Sequence, residues 1–509
     1  MRNPFAGRAL ALCCLFPACV SYAGELPPAA EVARRFDASL RQELDLAPDD
    51  LAPPADDAML MRRLWLDTLG YPPSREEAEA MNAAGNLDVA AVVPGLLGRR
   101  DFSENWARYW LETLRERAPL ARSLPYDKAA LDFFKRELEA RRSWATIARS
   151  VITADMNDRS RFVMHDVARP GVAATEVSRI FLGISIECAE CHDHPTDSWK
   201  QEQFREFAAY FDRTYIDDYA IAKRREEVDS EQSLEGVTPR FFLDGSSIGP
   251  NRSDGYRRAD ISRRVASPSN PWFARAFVNR ICGELLGQGF YGLPDDIGPG
   301  RDCLAPKSLE ILAEDFAASE CDIRRLFEIV LLTETYRLAG RSLADDAARP
   351  FACNRIQPLR GDQFFESMIR ALGMHDAADI EGWVDDRMSK KKQLPPRAIV
   401  NNVFGFGPSE AREDVRRGIP QAIALMNSGL IEYAINDPAN AKGPGSLIRR
   451  IGDDRELLDA IYLHMLSRRA THEERLLATE QLFVAPTRAE AFADVTWALI
   501  NSAEFSHRP

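Results

Sequence analysis

From Ala30 to about Phe211 apolar residues recur every three or four positions, the period of a helix that buries one face. Val32, Phe36 and Leu40 open the series, and Met61, Leu64, Trp65 and Thr68 continue it. Trp106, Tyr109, Trp110 and Leu114 then form an aromatic stripe, followed by Leu131, Phe134, Leu138 and Trp144. Pro53-Pro54, Pro72-Pro73, Pro119 and Pro125 punctuate these segments as turns. Aromatic side chains at helical spacing form core more often than the wall of a cofactor pocket, so the stripe is read as core.

The pattern changes between about Asp212 and Ser269. A charge run, Lys223-Arg224-Arg225-Glu226-Glu227, reads as a solvated face. Val237 to Gly245 reads as a short strand ending in a turn and is the one β signal. Helical periodicity returns from Asn270, with helices expected over Trp272–Leu286, Lys307–Ala318, Ile323–Tyr336, Gly361–Leu372, Pro420–Ile435, Glu456–Leu466 and Ala489–Asn501. An irregular stretch with Lys390-Lys391-Lys392, Pro395-Pro396 and Gly405-Phe406-Gly407-Pro408 reads as a long surface loop. The expected architecture is mainly α: a helical domain over 30–215, a charged β-containing linker over 216–269, and a helical domain over 270–509.

One internal echo joins the two ends of the chain. Leu64-Trp65-Leu66, Leu69-Gly70, Ser74 and Glu76-Glu77 are matched at equal spacing by Ile461-Tyr462-Leu463, Leu466-Ser467, Thr471 and Glu473-Glu474. Each block predicts a helix, a turn and a second helix opened by a capping box. This is architecture and carries no chemistry.

The address changes what the remaining residues mean. Arg2 and Arg8, an apolar run from Ala9 to Val20, and small residues at Ser21 and Ala23 read as a secretory signal over 1–23. Lipidation at Cys19 is a minority alternative, because Phe16-Pro17-Ala18 is a poor lead-in. Loss of two arginines and no acid takes the formal charge from -13 to -15. So acidic a chain has no footprint for nucleic acid. No later apolar run reaches the ~18 residues of a membrane span, so no integral span is expected. Expected partners are a redox protein or another protein of the cell envelope.

Against that background Cys188-Ala189-Glu190-Cys191-His192 stands out as C-x-x-C-H, the attachment signature of haem c. Two thiols add to the haem vinyl groups and the imidazole ligates the iron. Val177, Ile180, Phe181, Ile184 and Cys188 recur at helical spacing, so an amphipathic helix is expected to deliver the motif. Ser198 with Gln201 reads as a capping box that opens the next helix. His194 lies too close to His192 to reach the opposite face of a haem. It is read as a second-shell group or as an alternative metal ligand. Weak distal candidates are His165, Met164 and Met156, and a five-coordinate iron stays open. The alternatives are a disulfide between Cys188 and Cys191, or a structural zinc on Cys188, Cys191 and His192 or His194, with Asp193 as an oxygen donor. Nine cysteines become six after cleavage. Cys282, Cys303, Cys321 and Cys353 could form two disulfides in any of three pairings, and buried thiols are as plausible for Cys282 and Cys321.

Other motifs fail on context. Gly287-Gln288-Gly289-Phe290-Tyr291-Gly292 fits G-x-G-x-x-G but follows a helix, so it is read as a helix-ending turn. His472-Glu473 lacks the second histidine of a zinc protease. A hydrolase is the least favoured reading.

Phe181-Leu182-Gly183 leading into Cys188 to Pro195 and Trp199 resembles the haem-type signature of a family of exported proteins, abundant in planctomycetes. That family joins a cytochrome-c-like domain of unknown function to a second domain of unknown function. The second half is similar through Asn270-Pro271-Trp272, Val278-Asn279-Arg280, Asp295-Asp296-Ile297-Gly298, Thr333-Glu334-Thr335-Tyr336-Arg337 and Leu425-Met426-Asn427-Ser428. Relatives often carry cysteines just before the Pro420 helix, and Glu413-Asp414-Val415-Arg416-Arg417 has none. The resemblance implies a monohaem protein anchored through Cys188, Cys191 and His192. The alternative is an envelope scaffold whose motif holds a metal or a disulfide.

Overall fold

In a computed structural model, residues 26–115, 124–154, 160, 163, 169–217, 220–224, 234, 236–342, 349–374, 396–410, 415, 418, 421, 423–424, 434–436 and 440–509 are described. The chain is mainly helical. Its first half runs α1 (Ala29–Glu43), α2 (Asp57–Leu69), α3 (Arg75–Ala84), α4 (Val89–Gly98), α5 (Arg100–Arg115), α6 (Leu124–Glu139), α7 (Trp144–Thr153), α8 (Pro170–Leu182) and α9 (Gln201–Ala208). The second half adds α10 (Asp254–Val265), α11 (Pro271–Leu286), α12 (Pro306–Ala318), α13 (Ile323–Leu332), α14 (Glu334–Arg337) and α15 (Gly361–Ala371). It closes with α16 (Pro396–Phe404), α17 (Pro444–Arg450), α18 (Asp454–Leu466), α19 (His472–Val484), α20 (Arg488–Ile500) and α21 (Ala503–Ser506). The helix expected over Ile323–Tyr336 is broken at Thr333, whose side chain caps α14 by accepting from Tyr336 N. Most of the helix expected over Pro420–Ile435 lies outside the described residues.

The aromatic stripe of α5 is core. Trp106, Tyr109 and Trp110 are buried, and Trp110 lies 4.1 Å from Trp144 of α7 and 5.6 Å from Phe277 of α11, centroid to centroid. Phe277 in turn stacks on Phe316 of α12 at 4.8 Å. This ring system crosses from the first half of the chain to the second, and the apolar packing does the same. One core runs from Val32 to Phe351, with Leu463 added. A second gathers Leu66 and residues from Leu359 to Phe505. The covalent order suggests a break over 216–269, whereas packing divides near 351–359. The reason is that α1 lies against α12 and α13, α7 against α10, and α8 against α11, so each half covers the other's apolar faces.

Strands are few and short. β1 (Thr214–Asp217) and β2 (Ala220–Arg224) form an antiparallel hairpin, which absorbs the start of the charge run. β3 (Gly340–Ser342) pairs parallel with β4 (Asn354–Pro358), which pairs antiparallel with β5 (His507–Arg508). The strand expected over Val237–Gly245 is instead a single bridge, Arg240 to Ser247. Phe241 and Phe242 are adjacent yet both buried, which a strand with one solvated face would not do. Their rings meet Phe207 and, for Phe242, Trp199.

The echo between the chain ends is structural. α2 stops at Gly70 (φ 83°), and α3 opens with the box Ser74–Glu77. α18 stops at Ser467 (φ 64°), and α19 opens with the box Thr471–Glu474. The two units meet directly: α3 packs against α18, and buried Arg62 donates to the carbonyls of Met465 and Phe505. Among the described residues no helix is long and apolar enough to cross a membrane.

Candidate functional site

Helix α8 begins with Pro170 at its first position and ends at Gly183 in the left-handed region (φ 68°). There Ile184 N bonds back to Ser178 O at 3.2 Å. A Cβ on Gly183 would stand 2.6 Å from Ile297 Cδ1, and Ile297 N donates to Gly183 O at 2.7 Å. Gly183 therefore stops α8, and the second half of the chain seats itself on that end through Ile297. The expected continuous helix through Cys188 is corrected accordingly. The motif opens on a separate 3₁₀ turn, Glu187–Glu190, with Cys191 as its cap and His192 just past it; Ala189 is buried while Cys188, Cys191 and His192 are exposed. A 3₁₀ turn has three residues per turn, so positions three apart stand on one side of it. That places both thiols outward together, and both are free.

The turn is clamped from behind by α9. Gln201 Nε2 donates to the carbonyls of Glu190 (3.2 Å) and Cys191 (2.9 Å). Asp193 accepts from Gln201 N at 3.0 Å and from Lys200 Nζ at 3.0 Å. The Gln201 amide, then Lys200, hold its carboxyl below the usual carboxylate range. These bonds shift the capping box by two residues from the expected Ser198–Gln201: Lys200 N donates to Gln203 Oε1 at 2.8 Å. His192 Nδ1 lies 2.8 Å from Asp193 O. With a proton on Nδ1, that contact fixes the tautomer that leaves Nε2 for a metal, the usual anchoring of a ligating imidazole.

His194 is half-buried and used locally: Thr196 N donates to its Nδ1 at 3.3 Å, and His194 N donates to Trp199 O at 2.8 Å. Its recorded partner is Thr196, not His192. The weak distal candidates His165, Met164 and Met156 lie outside the described residues. Trp106, Tyr109 and Trp110 are part of the core. None of Cys282, Cys303, Cys321 and Cys353 is in a disulfide, and the first, third and fourth are buried. Burial raises the thiols of Cys282, Cys303 and Cys321, the last to about 12, so these are packing groups. Among the described residues no group of three His, Cys, Asp or Glu side chains is assembled to hold a metal ion.

Sequence reasoning missed a buried charge cluster beneath the site. Arg179 of α8 pairs with Glu176 Oε2 (2.6 Å) and with Asp295 Oδ2 (2.8 Å), and donates to Thr113 O at 2.7 Å. Asp295 also pairs with Arg280 of α11 and accepts from Ser409. All four charged members of this joint are buried, with the side chains of Arg179, Glu176, Arg280 and Asp295 exposed by 1, 2, 2 and 8%. The signal was present: Asp295 to Gly298 and Val278 to Arg280 are segments that carried the family resemblance. Behind Asp295, the turn Gly298–Arg301 cradles the post-motif loop, with Arg301 donating to Thr196 O at 3.5 Å and to Thr196 Oγ1 at 3.3 Å.

The donor set thus fits a covalently held haem on the protein side, with two outward thiols on one turn and an anchored imidazole beside them. Residues 35–215 match the family model described as PSCyt2, a protein of unknown function (DUF1549). Residues 257–482 match the one described as PSD1, a protein of unknown function (DUF1553). No curated protein and no solved structure gives a significant match. The chain belongs to the two-domain family in which a DUF1549 domain is followed by a DUF1553 domain.

Proposed function

We propose that the protein is an exported c-type cytochrome-like protein that carries one haem c on Cys188, Cys191 and His192. The observation that supports this reading is that both free thiols and the anchored imidazole are exposed within five consecutive residues, on the turn Glu187–Glu190 and the two residues after it. Each thiol adds across a vinyl double bond, sulfur to one carbon and proton to the other, so attachment needs no leaving group. When bound, the haem supplies one-electron redox chemistry. The chain's own part is to present the anchors, to fix His192 through Asp193 O, and to hold the turn rigid through Gln201. An exposed motif on an acidic chain supports exchange of electrons with a partner protein of the cell envelope.

The test is haem staining after denaturing electrophoresis of protein made with c-type maturation machinery, because a thioether-linked haem survives denaturation. A stained band that disappears in Cys188→Ser/Cys191→Ser is expected. A colourless wild-type band overturns the reading, and stoichiometric zinc without iron would select the scaffold alternative. Export through residues 1–23 predicts a mature chain starting at Gly24, read by N-terminal sequencing of the periplasmic fraction.

A further inference from the structure

We propose that the outer face of α19 and α20 is a docking surface for a basic amphipathic helix of a partner protein. Nine large apolar side chains stand exposed among the described residues, and five of them lie on these two helices. Leu476, Leu477, Phe483 and Val484 of α19 are exposed by 53, 65, 87 and 79%, and Trp497 of α20 by 40%. Apolar residues scattered singly over a surface need no explanation, whereas a cluster of them marks an interaction site.

Spacing makes the cluster a stripe. Positions 473, 476, 477, 480, 483 and 484 recur at three and four residues, so they share one side of α19. The opposite side is already used: Ala478 is buried, and Leu482 packs on the second core. The stripe is therefore not what seats α19. On α20, Glu490, Asp494 and Trp497 likewise share a side. Asp494 accepts from Gln481 Nε2 of α19 at 2.7 Å, which ties that side to the stripe's helix.

Charge selects the occupant. Glu473 and Glu480 stand exposed within the apolar stripe, and Glu490 and Asp494 stand exposed on the side of Trp497. Each helix has one arginine and no lysine, and both arginines are engaged elsewhere: Arg475 pairs with Asp459 at 2.9 Å and Arg488 with Asp454 at 2.6 Å. A second copy of the chain fits this face poorly. The stripe is centred on Glu480, and a two-fold pairing about that centre sets Glu480 against its own image. An anionic lipid surface fits it worse, since helices that lie on membranes carry lysine and arginine beside their apolar residues. A helix with apolar residues at three- and four-residue spacing, flanked by Lys or Arg, meets both features. Its apolar side chains cover the stripe, and its cations face the four acids. No residue of the haem motif contributes to this surface.

The test is fluorescence anisotropy of a labelled helical peptide of leucine and lysine, with leucine at three- and four-residue spacing, titrated with the full chain. One control peptide has the same composition in scrambled order, and another has glutamate in place of lysine. The patterned basic peptide should bind and the controls should not. Leu477→Ser and Phe483→Ser remove exposed side chains, so Tm should stay at the wild-type value while the peptide binds roughly ten-fold or more weakly. Glu480→Lys should also weaken binding, and by less at high salt. The proposal is overturned if the patterned peptide does not bind, if either control binds as well as it does, or if binding is unchanged in the serine variants. It is overturned equally if phosphatidylglycerol vesicles take up the wild-type chain but not Phe483→Ser, or if sedimentation shows a dimer that Phe483→Ser dissolves, because the face then belongs to a lipid surface or to a second copy.

Discussion

Asp295→Ala tests whether the joint beneath the motif is a paired charge cluster. The substitution removes the carboxylate that meets Arg179 at 2.8 Å, Arg280 and the hydroxyl of Ser409. Arg179 keeps Glu176 and Thr113 O, whereas Arg280, buried, loses the one carboxylate it pairs with among the described residues. Breaking one side of a buried pair costs about 3–5 kcal/mol, because the remaining charge stays out of water. That is a large share of the ~5–15 kcal/mol that holds a domain together. The measurement is equilibrium unfolding in guanidinium chloride, read by tryptophan fluorescence, since Trp110 and Trp144 sit in the core that α8 and α11 share. The midpoint should fall with the m-value unchanged. Arg280→Met should be destabilising alone and should relieve part of the Asp295→Ala loss, giving a coupling energy of at least ~1 kcal/mol in a double-mutant cycle. A loss under ~1 kcal/mol, or two strictly additive substitutions, would refute the reasoning.

Two further outcomes follow from the same geometry. Burial, with Asp362 as a repelling neighbour, pushes Glu112 from 4.5 up to about 8. The folded state then binds its proton more tightly than the unfolded state, so stability falls as pH rises from about 4.5 to about 8. Glu112→Gln should flatten that slope, and chemical unfolding that shows the same slope in the variant would count against it. Gly183→Ala places a Cβ in the left-handed region and against Ile297; a loss of ~1–3 kcal/mol is expected by thermal unfolding, and an unchanged Tm would show that the seat of α8 tolerates the strain.

Much of the helical architecture is legible in one dimension because local signals suffice. The stripe Val32, Phe36, Leu40, the left-handed stops at Gly70 and Ser467, and the boxes at Ser74 and Thr471 all act within a few residues. What was illegible depends on distant partners. β5 is two residues long and pairs with β4 across most of the second half, so no alternation announces it. The motif's helix ends at Gly183 by a local left-handed stop, but the residue that packs on that end, Ile297, comes from far along the chain. Arg179, Arg280 and Arg508 are buried where charge reads as surface, since their partners Asp295 and Asp67 come from other elements, and buried Arg62 likewise finds the distant carbonyls of Met465 and Phe505. C-x-x-C-H itself was legible, but its exposure on a 3₁₀ turn was not.

The interleaved core has a consequence for how the two family domains are inherited. A fragment holding only residues 30–215 would leave α1 without α12 and α13, α7 without α10, and α8 without α11. Its tryptophan cluster would lose Phe277 and, beyond it, Phe316. A gene rearrangement that moved the motif-bearing half next to a different neighbour would therefore have to supply a substitute wall of helices. The boundary visible in sequence is a seam between recognisable patterns, while the unit that evolution must keep intact extends past it.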